Sequence, residues 1–178
     1  LSKTGNAALA SLSITAPKLV TATIMARQIG DVTVDAVAST ATTATGTVNM
    51  PEALFVGAVT SDALENTMPK LVTAKGISLA NDVAVSLPAL TKSTGAISLP
   101  KATSFDAAAL AQLGSSATVG VNLTADLVTG AASFPAMTIG GAISMQKATS
   151  FDAKKAVVTS VDLSDEATSL DVASVASA

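Results

Sequence analysis

The chain has 178 residues, of which 36 are alanine, 20 serine and 23 threonine, and it contains no cysteine, histidine, tryptophan or tyrosine. Without histidine and cysteine the chain has no Ser-His-Asp triad, Cys-His pair, disulfide or ordinary zinc site. Ten basic and 13 acidic residues give a formal net charge of −3, and with no basic patch or aromatic platform we expect no nucleic-acid partner.

The same composition indicates a folded chain with a thin core. Hydrophobic residues make up 49% and charged residues only 13%, which is unlike a disordered segment, and the length favours one domain, residues 1–178. No uninterrupted apolar run is long enough to cross a bilayer, so we expect no membrane span. The start of the chain lacks both a methionine and a signal-peptide apolar region, so we interpret residues 1–178 as a segment of a longer chain or assembly.

Short alternating triplets predict strands along the whole chain. An apolar–polar–apolar triplet has the period of a β-strand, with two side chains inward and one outward. Proline closes such a strand, because it cannot donate the next ladder hydrogen bond. The predicted strands are 12–14, 32–34, 47–50, 76–79, 83–85, 97–99, 119–121, 143–145 and 161–163.

One segment predicts a helix instead of a strand. Asp106 is a good N-cap, the next residues are strong helix formers, and Gly114 is a suitable end, which together predict a short helix near 106 to 113. Segments 151–157 and 62–66 have the composition for about one helical turn each.

An internal repeat is the main signal. Residues 95–106 return at 141–152 with ten of 12 positions identical, and 17–22 return at 69–74 with all six identical. Weaker copies fill the gaps and give a unit of roughly 18 to 24 residues, with the loose consensus apolar-Ser/Thr-apolar-Pro-x-apolar-x-Ser/Thr. Because one short strand per unit can stack into a parallel sheet, the sequence predicts an all-β parallel solenoid of about seven to nine coils.

The repeat also predicts which side chains lie inside the solenoid. The serines between paired apolar residues should face outward, and the apolar residues should be buried. The predicted buried residues are Ile77, Leu79, Ile97, Leu99, Ile143 and Met145, and the predicted outward residues are Ser78, Ser98 and Ser144.

Segments 87–91 and 95–103 carry a resemblance to a known family. They read Leu-Pro-Ala-Leu-Thr, then a glycine, then a short alternating strand, and so resemble the repeats of receptor-L-domain-like and divergent leucine-rich-repeat proteins over roughly residues 11 to 165. The resemblance implies a β-helix or leucine-rich-repeat-like solenoid and transfers no catalytic residue. Ala, Val and Ile often replace the expected Leu, which favours a generic β-solenoid similar to parts of bacterial surface adhesins and phage fibre proteins.

Two groups of carboxylates are candidates for chemistry. The densest comprises Asp162, Asp165, Glu166 and Asp171. Carboxylates suit Ca²⁺, but this spacing matches no known calcium loop, so we interpret the group as a solvated face with a turn. Asp106 and Asp152 occupy equivalent repeat positions. A glycosidase pair is the alternative there, and capping is the interpretation we favour.

The remaining candidates have structural interpretations. We expect Lys101 and Lys147 to line an outward ridge rather than bind an anion. Three aromatic residues should fill the core, with a sugar-binding platform as the alternative: Phe105, Phe134 and Phe151.

Three hydroxyl-rich segments complete the set. Ser115 and Ser116 have no base to activate them. Segment 122–124 is the one N-glycosylation sequon. The low-complexity run 39–46 is interpreted as the outward threonine face of one coil, with a loop or O-glycan site as alternatives.

The expected function is non-enzymatic, with no catalytic residue, cofactor or metal. We expect a structural or adhesive repeat module of an extracellular fibre or cell-surface protein, and the alternative is a bacteriophage virion fibre or capsid-associated appendage. A β-helix carbohydrate-active enzyme ranks third, because such enzymes use clustered Asp, Arg and Lys and this chain has a single arginine, Arg27. The expected partners are copies of itself or neighbouring chains, together with a surface receptor or glycan. We also expect at least one end to continue into further chain or to abut another subunit, since 171–178 still alternates like a strand.

Overall fold

The computed structural model describes residues 8–36, 46–116 and 119–175. Over these ranges the chain is an all-β parallel solenoid in which eight strands from successive coils follow one another in a single ladder. The strand pairings in this part of the chain are parallel, except for one antiparallel hairpin between residues 112 and 120. The predicted all-β solenoid of about seven to nine coils is therefore confirmed.

The described residues form 19 short strands. They are β1 (Ala8–Thr15), β2 (Thr21–Thr23), β3 (Gln28–Asp35), β4 (Thr47–Asn49), β5 (Phe55–Ser61), β6 (Glu65–Thr67), β7 (Thr73–Leu79), β8 (Ala84–Ser86), β9 (Lys92–Ser93), β10 (Ile97–Ser98), β11 (Ser104–Asp106), β12 (Gln112–Ser116), β13 (Val119–Gly120), β14 (Leu123–Thr124), β15 (Gly130–Ser133), β16 (Ala142–Met145), β17 (Ala148–Val158), β18 (Ser160–Leu163) and β19 (Ser169–Val175).

Each coil contributes to three sides of the solenoid. Side one is the continuous ladder β1-β3-β5-β7-β10-β14-β16-β18. Side two consists of the shorter ladders β2-β4-β6, β8-β11 and β15-β17-β19. Side three is formed by the first residues of β3, β5 and β7, by β9 and β12, and by bridges from Ile139 to Gln112 and Val157. The strand triplets in the sequence mainly predicted side one.

Side one keeps the same alternation on every rung. Its inward row is Leu12, Val32, Val59, Ile77, Ile97, Leu123, Ile143 and Val161. All six side chains predicted to be buried are at most 2% exposed, and the three predicted outward serines are partly exposed. The predicted register is therefore confirmed.

The core is made of small aliphatic side chains and a short aromatic stack. Phe134 and Phe151 are fully buried, whereas Phe105 is partly exposed and packs against the core. The ring centroids of Phe134 lie 5.8 Å from Phe105 and 5.6 Å from Phe151, in a tilted arrangement. The prediction that these rings fill the core is confirmed for the two buried ones, and Phe105 lies at the edge of the stack.

Tight β-turns connect the sides, and they explain the proline in the repeat. In each turn the N–H of the fourth residue donates to the carbonyl of the first. Nine such turns occur in the described residues: 16–19, 50–53, 68–71, 87–90, 99–102, 107–110, 125–128, 134–137 and 164–167. All six prolines of the chain occupy the second position of one of these turns, where the fixed φ of proline favours the turn.

The threonine after the turn ties one coil to the coil before it. The N–H and Oγ of Thr91 both donate to the carbonyl of Val72, at 2.9 and 3.1 Å. Thr138 makes the same two bonds to the carbonyl of Ala111, at 2.8 and 3.0 Å. These two hydrogen bonds to one carbonyl give a physical reason for the Thr that ends Leu-Pro-Ala-Leu-Thr.

The predicted helix near 106 to 113 is wrong. Residues 107–110 form one of the nine turns, between β11 and β12, and the Asp106 carboxylate accepts the N–H of Ala108 at 3.3 Å. Leu110, the fourth turn residue, is fully buried, so packing against the core overrides the helix propensity of the alanines. The single helical turns at 151–157 and 62–66 are also wrong, because β17 covers the first segment and a bend leads directly into β6 in the second.

Coil length varies more than the repeat predicted. Successive rungs of side one are separated by 18 to 27 residues, compared with the expected 18 to 24. The two long coils run from Val32 to Val59 and from Ile97 to Leu123. Extra residues fall between β3 and β4 in the first and at the β12–β13 hairpin in the second. Insertions at corners leave the ladders in register.

Glycines lie where the chain bends from side three to side one. A Cβ at Gly95 would overlap the carbonyl oxygen of Lys75 in the preceding coil, and one at Gly30 would overlap that of Ala10. A Cβ at Gly76 would instead lie 3.4 Å from its nearest neighbour, the carbonyl oxygen of Ala96. Close stacking of backbones therefore requires glycine at some bends and tolerates a side chain at others.

Removing an inward side chain on side one should destabilise the solenoid, whereas removing an outward hydroxyl should not. Ile97→Ala is expected to lower the free energy of unfolding by about 2 to 5 kcal/mol, the usual range for a buried large-to-small change. Ser98→Ala should change it by less than about 0.5 kcal/mol. Urea unfolding of both variants measures the difference, and equal effects would contradict the register.

The two bend glycines should respond differently to the same substitution. Gly95→Ala is expected to cost about 1 to 3 kcal/mol, because its methyl group would have to displace the preceding coil. Gly76→Ala should cost less than about 1 kcal/mol, because the added carbon makes ordinary contacts. Thermal unfolding compares the pair, and a Gly95→Ala protein as stable as Gly76→Ala would show that the coils do not stack this closely.

Candidate functional site

The four carboxylates near the end of the chain do not converge on one point. Asp162 lies on side one and accepts a hydrogen bond from Nε2 of Gln146 at 3.0 Å. Asp165 and Glu166 are exposed in the turn 164–167, and Asp171 lies on side two. No group of three or more possible ligands that could hold a metal ion occurs in the described part of the chain. The geometry fits a solvated surface.

Asp106 and Asp152 lie on the same side of the solenoid but in different ladders. Asp106 pairs with Ser86 in β8–β11, whereas Asp152 pairs with Ser133 and Asp171 in β15–β17–β19. They belong to coils two apart and do not face each other across a cleft, as a glycosidase pair must. The Asp106 carboxylate caps a turn in place of the predicted helix, whereas Asp152 lies within β17.

Charged side chains project from the corners and from side two. Lys101, in the turn 99–102, donates to Oδ1 of Asn81 in the preceding coil at 2.6 Å. Lys147 is exposed at the same corner two coils later, between β16 and β17. Lys154 lies between two carboxylates of side two, 4.0 Å from Asp152 and 3.7 Å from Asp171. The two predicted outward lysines are therefore exposed, and they lie at the same corner of the solenoid in coils two apart.

One ion pair joins the same turn position in neighbouring coils. Glu52 is the third residue of the turn 50–53, and Lys70 is the third residue of the turn 68–71. Their side chains lie 2.8 Å apart and remain well exposed. The hydrogen bond from Lys70 lowers the pKa of the Glu52 carboxyl. Exposed pairs of this kind contribute little stability, but this one shows how charges on stacked turns meet.

The three hydroxyl-rich segments lie in different parts of the structure. Ser115 lies in β12, next to the hairpin. In the sequon 122–124, Asn122 is exposed and its Oδ1 accepts the N–H of Ala142 at 3.4 Å. The run 39–46 lies outside the described residues except for Gly46, which has a φ of 82°.

The most regular polar feature is the outward row of side one. This hydroxyl row comprises Ser13, Thr33, Thr60, Ser78, Ser98, Thr124 and Ser144. Parallel strands place successive members about 4.8 Å apart, and Asp162 ends the row at the last rung. A hydroxyl both donates and accepts, so the row offers a repeated set of weak contacts along the axis. The Ser144 hydroxyl differs from the others in that it donates to Oδ1 of Asp126 at 2.5 Å.

A buried polar pair interrupts side two between β6 and β8. Asn66 is 7% exposed and Asp82 is 2% exposed. The Asp82 carboxylate accepts the Asn66 N–H and its side-chain Nδ2, each at 3.1 Å. Burial raises the pKa of Asp82 from 3.8 to about 6, against the lowering effect of the two hydrogen bonds from Asn66, and nearby Glu65 raises it slightly further. The side-chain oxygen of Asn66 is buried without a hydrogen-bond partner.

The repeat pattern does not predict this pair. One signal was present, because Asn66 occupies the inward position that Val48 fills in the preceding coil. Its partner Asp82 lies 16 residues away, in the connection from side one to side two. The pair replaces strand pairing at this level, so its role in the fold is structural.

The raised pKa of Asp82 predicts a pH-dependent stability. A carboxyl whose pKa is higher in the folded state stabilises the fold fully below about pH 4, and this contribution is lost as the pH rises through about 6. From pH 4 to 7 the free energy of unfolding should fall by about 1 to 3 kcal/mol more in the unmodified chain than in Asp82→Asn. Urea unfolding at several pH values gives both slopes, and identical slopes would show that Asp82 is not the titrating group.

No protein-family model, curated protein or solved structure matches this chain. Within the residues that the structure describes, no helix is long and apolar enough to cross a membrane. The described surface combines stacked turns that carry charged side chains with a hydroxyl row on side one, and a buried polar pair lies between β6 and β8 on side two.

Proposed function

We propose that this chain is a non-enzymatic structural or adhesive repeat module of an extracellular fibre or cell-surface protein. The single observation that carries the proposal is the unbroken ladder of side one, with its hydroxyl row lying outward along the axis, exposed at Ser13, Thr33 and Thr60 and partly exposed at the other members. A solenoid of this kind holds a fixed length and presents the same surface repeatedly. Any contact it makes is distributed over many rungs.

The distribution of polar groups supports a surface role. The carboxylates singled out in the sequence lie on two sides and at corners, and Asp106 and Asp152 do not face each other. In the hydroxyl row, by contrast, the same chemistry repeats from Ser13 to Ser144. Weak contacts summed over such a row favour binding to an extended, repetitive partner such as a surface receptor array or glycan.

The proposal includes the resemblance to divergent leucine-rich repeats. Segment 87–91 forms a tight turn followed by the coil-tying Thr91, which gives the shared Leu-Pro-x-Leu-Thr motif a physical role in this chain. A bacteriophage virion fibre or capsid-associated appendage uses the same architecture and remains the alternative setting. Tail, capsid and portal genes beside the gene would select the virion, and a cell-wall sorting signal on the full-length product would select the cell surface.

The proposal predicts adhesion that depends on side one. Beads coated with the chain should bind at least one of three immobilised surfaces: peptidoglycan, lipopolysaccharide or a neutral polysaccharide. A triple variant on alternate rungs, Thr33→Lys, Ser78→Lys and Thr124→Lys, should reduce bead retention about tenfold or more, because bulky charged groups replace small hydroxyls. Bead counts under flow provide the measurement.

A matched triple variant on side two is the control for this experiment. Thr23→Lys, Ser86→Lys and Ser133→Lys are exposed substitutions of the same kind in number and charge, and they should leave retention within about twofold. Equal losses from both triples would indicate nonspecific charge effects and contradict a side-one surface. Hydrolysis of the same glycans, with or without Ca²⁺ and Mg²⁺, that disappears in Asp106→Asn or Asp152→Asn would favour the carbohydrate-active enzyme instead.

A further inference from the structure

Side three carries positive charge only. Arg27, Lys75 and Lys92 lie on it, whereas all 13 aspartates and glutamates of the chain lie elsewhere. The segments that pass along this side are 27–30, 54–57, 72–75, 91–94, 111–114, 138–140 and 156–158. Because the chain as a whole has a net charge of −3, side three has the opposite sign from the rest of the molecule and favours an anionic partner.

Phe55 is an exposed aromatic side chain among these cations. It is 45% exposed, whereas Val56, the next residue, points inward and is 5% exposed. In the ladder of side three, Phe55 pairs with Gln28 of the preceding coil and with Thr73 of the following coil. The ring is therefore not needed to fill the core, and a ligand can cover its π face.

Two shallow depressions adjoin the ring of Phe55. One has a volume of about 340 Å³ and is lined by Arg27, Gln28, Leu54 and Phe55. The other has a volume of about 320 Å³, and its lining includes Phe55, Gly57 and Lys75. Pockets for small ligands begin at about 300 Å³, so each depression has room for a sugar ring and has a cation in its lining.

The cations of this face are not neutralised by the ion pair nearest to them in the chain. Glu52 is paired with Lys70 at 2.8 Å. The pKa of the Glu52 carboxyl is lowered mainly by that lysine and least by Arg27. Lys75 and Lys92 form no ion pair with any residue that the structure describes. The charge that faces solvent on side three therefore remains positive.

One carboxylate at the border with side one adds an acceptor. Asp31 accepts the N–H of Ala58 at 2.9 Å, and its Oδ1 takes up the space that a Cβ of Gly57 would need. This hydrogen bond holds the carboxylate beside the second depression. Because a carboxylate has about four acceptor sites, Asp31 can also accept a hydrogen bond from a ligand hydroxyl.

This set of groups fits a sugar that carries a carboxylate. The C–H groups of a pyranose ring can pack on the negative π face of Phe55. Guanidinium and ammonium groups form strong hydrogen bonds with carboxylates, and the amide of Gln28 can both donate to and accept from hydroxyls. Single-stranded nucleic acid instead requires several aromatic side chains for successive bases, and side three has one.

We infer that the face around Phe55 binds an acidic polysaccharide built of uronic acids, with a sugar ring on Phe55 and its carboxylate beside Arg27 or Lys75. Lys92 lies two rungs, about 10 Å, further along the axis from Phe55, so a neighbouring sugar of the same polymer can reach it. This face is separate from the hydroxyl row of side one, and the inference therefore goes beyond the proposed function by assigning a ligand to a second side.

Binding to polygalacturonate tests the inference directly. In a buffer without divalent cations, the unmodified full chain should bind the immobilised polymer, and the affinity should fall as NaCl is added, because salt screens exposed charges. The same polymer with its carboxyl groups methyl-esterified should bind about tenfold or more weakly, because the charge-assisted hydrogen bonds are lost. Biolayer interferometry measures both affinities.

Two substitutions separate the ring from the charge. Phe55→Ala should weaken binding of polygalacturonate about tenfold or more, because the stacking surface is removed. Phe55→Tyr keeps a ring and should stay within about threefold of the unmodified chain. Lys75→Gln should weaken binding about threefold or more, because it replaces a charged donor with a neutral one.

Matched controls lie on other parts of the solenoid. Leu64→Ala removes an apolar side chain of similar exposure, 51%, next to β6, and Lys147→Gln removes the charge of an exposed lysine at a corner between sides one and two. Both should leave the affinity within about twofold. Circular dichroism should show the same β-sheet signal for all the variants.

Four results would overturn the inference. They are no binding of polygalacturonate at low salt, equal binding of the acidic and esterified polymers, unchanged affinity in Phe55→Ala, and losses in the two controls as large as those in Phe55→Ala and Lys75→Gln. Single-stranded DNA that binds as tightly as polygalacturonate, and loses affinity in Phe55→Ala, would assign the face to nucleic acid and overturn it as well.

The two proposals can fail separately. Binding of polygalacturonate through Phe55, without bead retention that depends on side one, would support the inference and remove side one as the adhesive face. Bead retention that depends on side one, from a chain that does not bind polygalacturonate, would refute the inference and retain the proposed function.

Discussion

Every coil must lie one strand spacing, about 4.8 Å, above the coil before it. This spacing, imposed by the hydrogen bonds of the parallel ladders, controls the rest of the structure. Rings on successive coils then follow one another along the axis, as Phe134 and Phe151 do. The spacing also requires glycine at the bends where a Cβ would overlap the backbone below, as at Gly95. The need for glycine at these bends follows from this one constraint.

The architecture could be predicted from the sequence because each repeat unit carries the alternation of a strand and the proline of a turn. Ile97 and Ser98 alternate with the period of a strand, and proline follows at the turn, so the inward row of side one could be derived from the sequence pattern. Side two was less accessible, since β2 and β11 are only three residues long. The helix prediction at 106 to 113 failed for a different reason. Three consecutive alanines have high helix propensity, but Leu110 is held in the core by the coils on either side of it.

The position of a polar side chain could be predicted from the sequence only where it depends on residues within one repeat unit. Ser98 and Ser144 occupy the same phase, and their outward position followed from that phase alone. The contact of Asp82 with Asn66 depends on how a connection folds over the neighbouring coil, which periodicity does not report. Asp106 and Asp152 follow identical sequences, but their contacts differ, because Asp106 precedes the turn 107–110 whereas Asp152 lies within the 11-residue strand β17. Equivalent positions in the repeat therefore predict whether a side chain points inward or outward, but they predict its hydrogen-bond partners less well.

The interruption of side two has a mechanical consequence. At the level of Asn66 and Asp82, two side-chain hydrogen bonds replace the strand pairing between β6 and β8. A bending or twisting load on the rod would be carried there by sides one and three, which remain continuous. The rod is consequently more compliant toward side two at this level than elsewhere along β2-β4-β6. Deprotonation of the buried carboxyl places a charge at the same point, so the stiffness of the rod at this level depends on the pH of the surroundings.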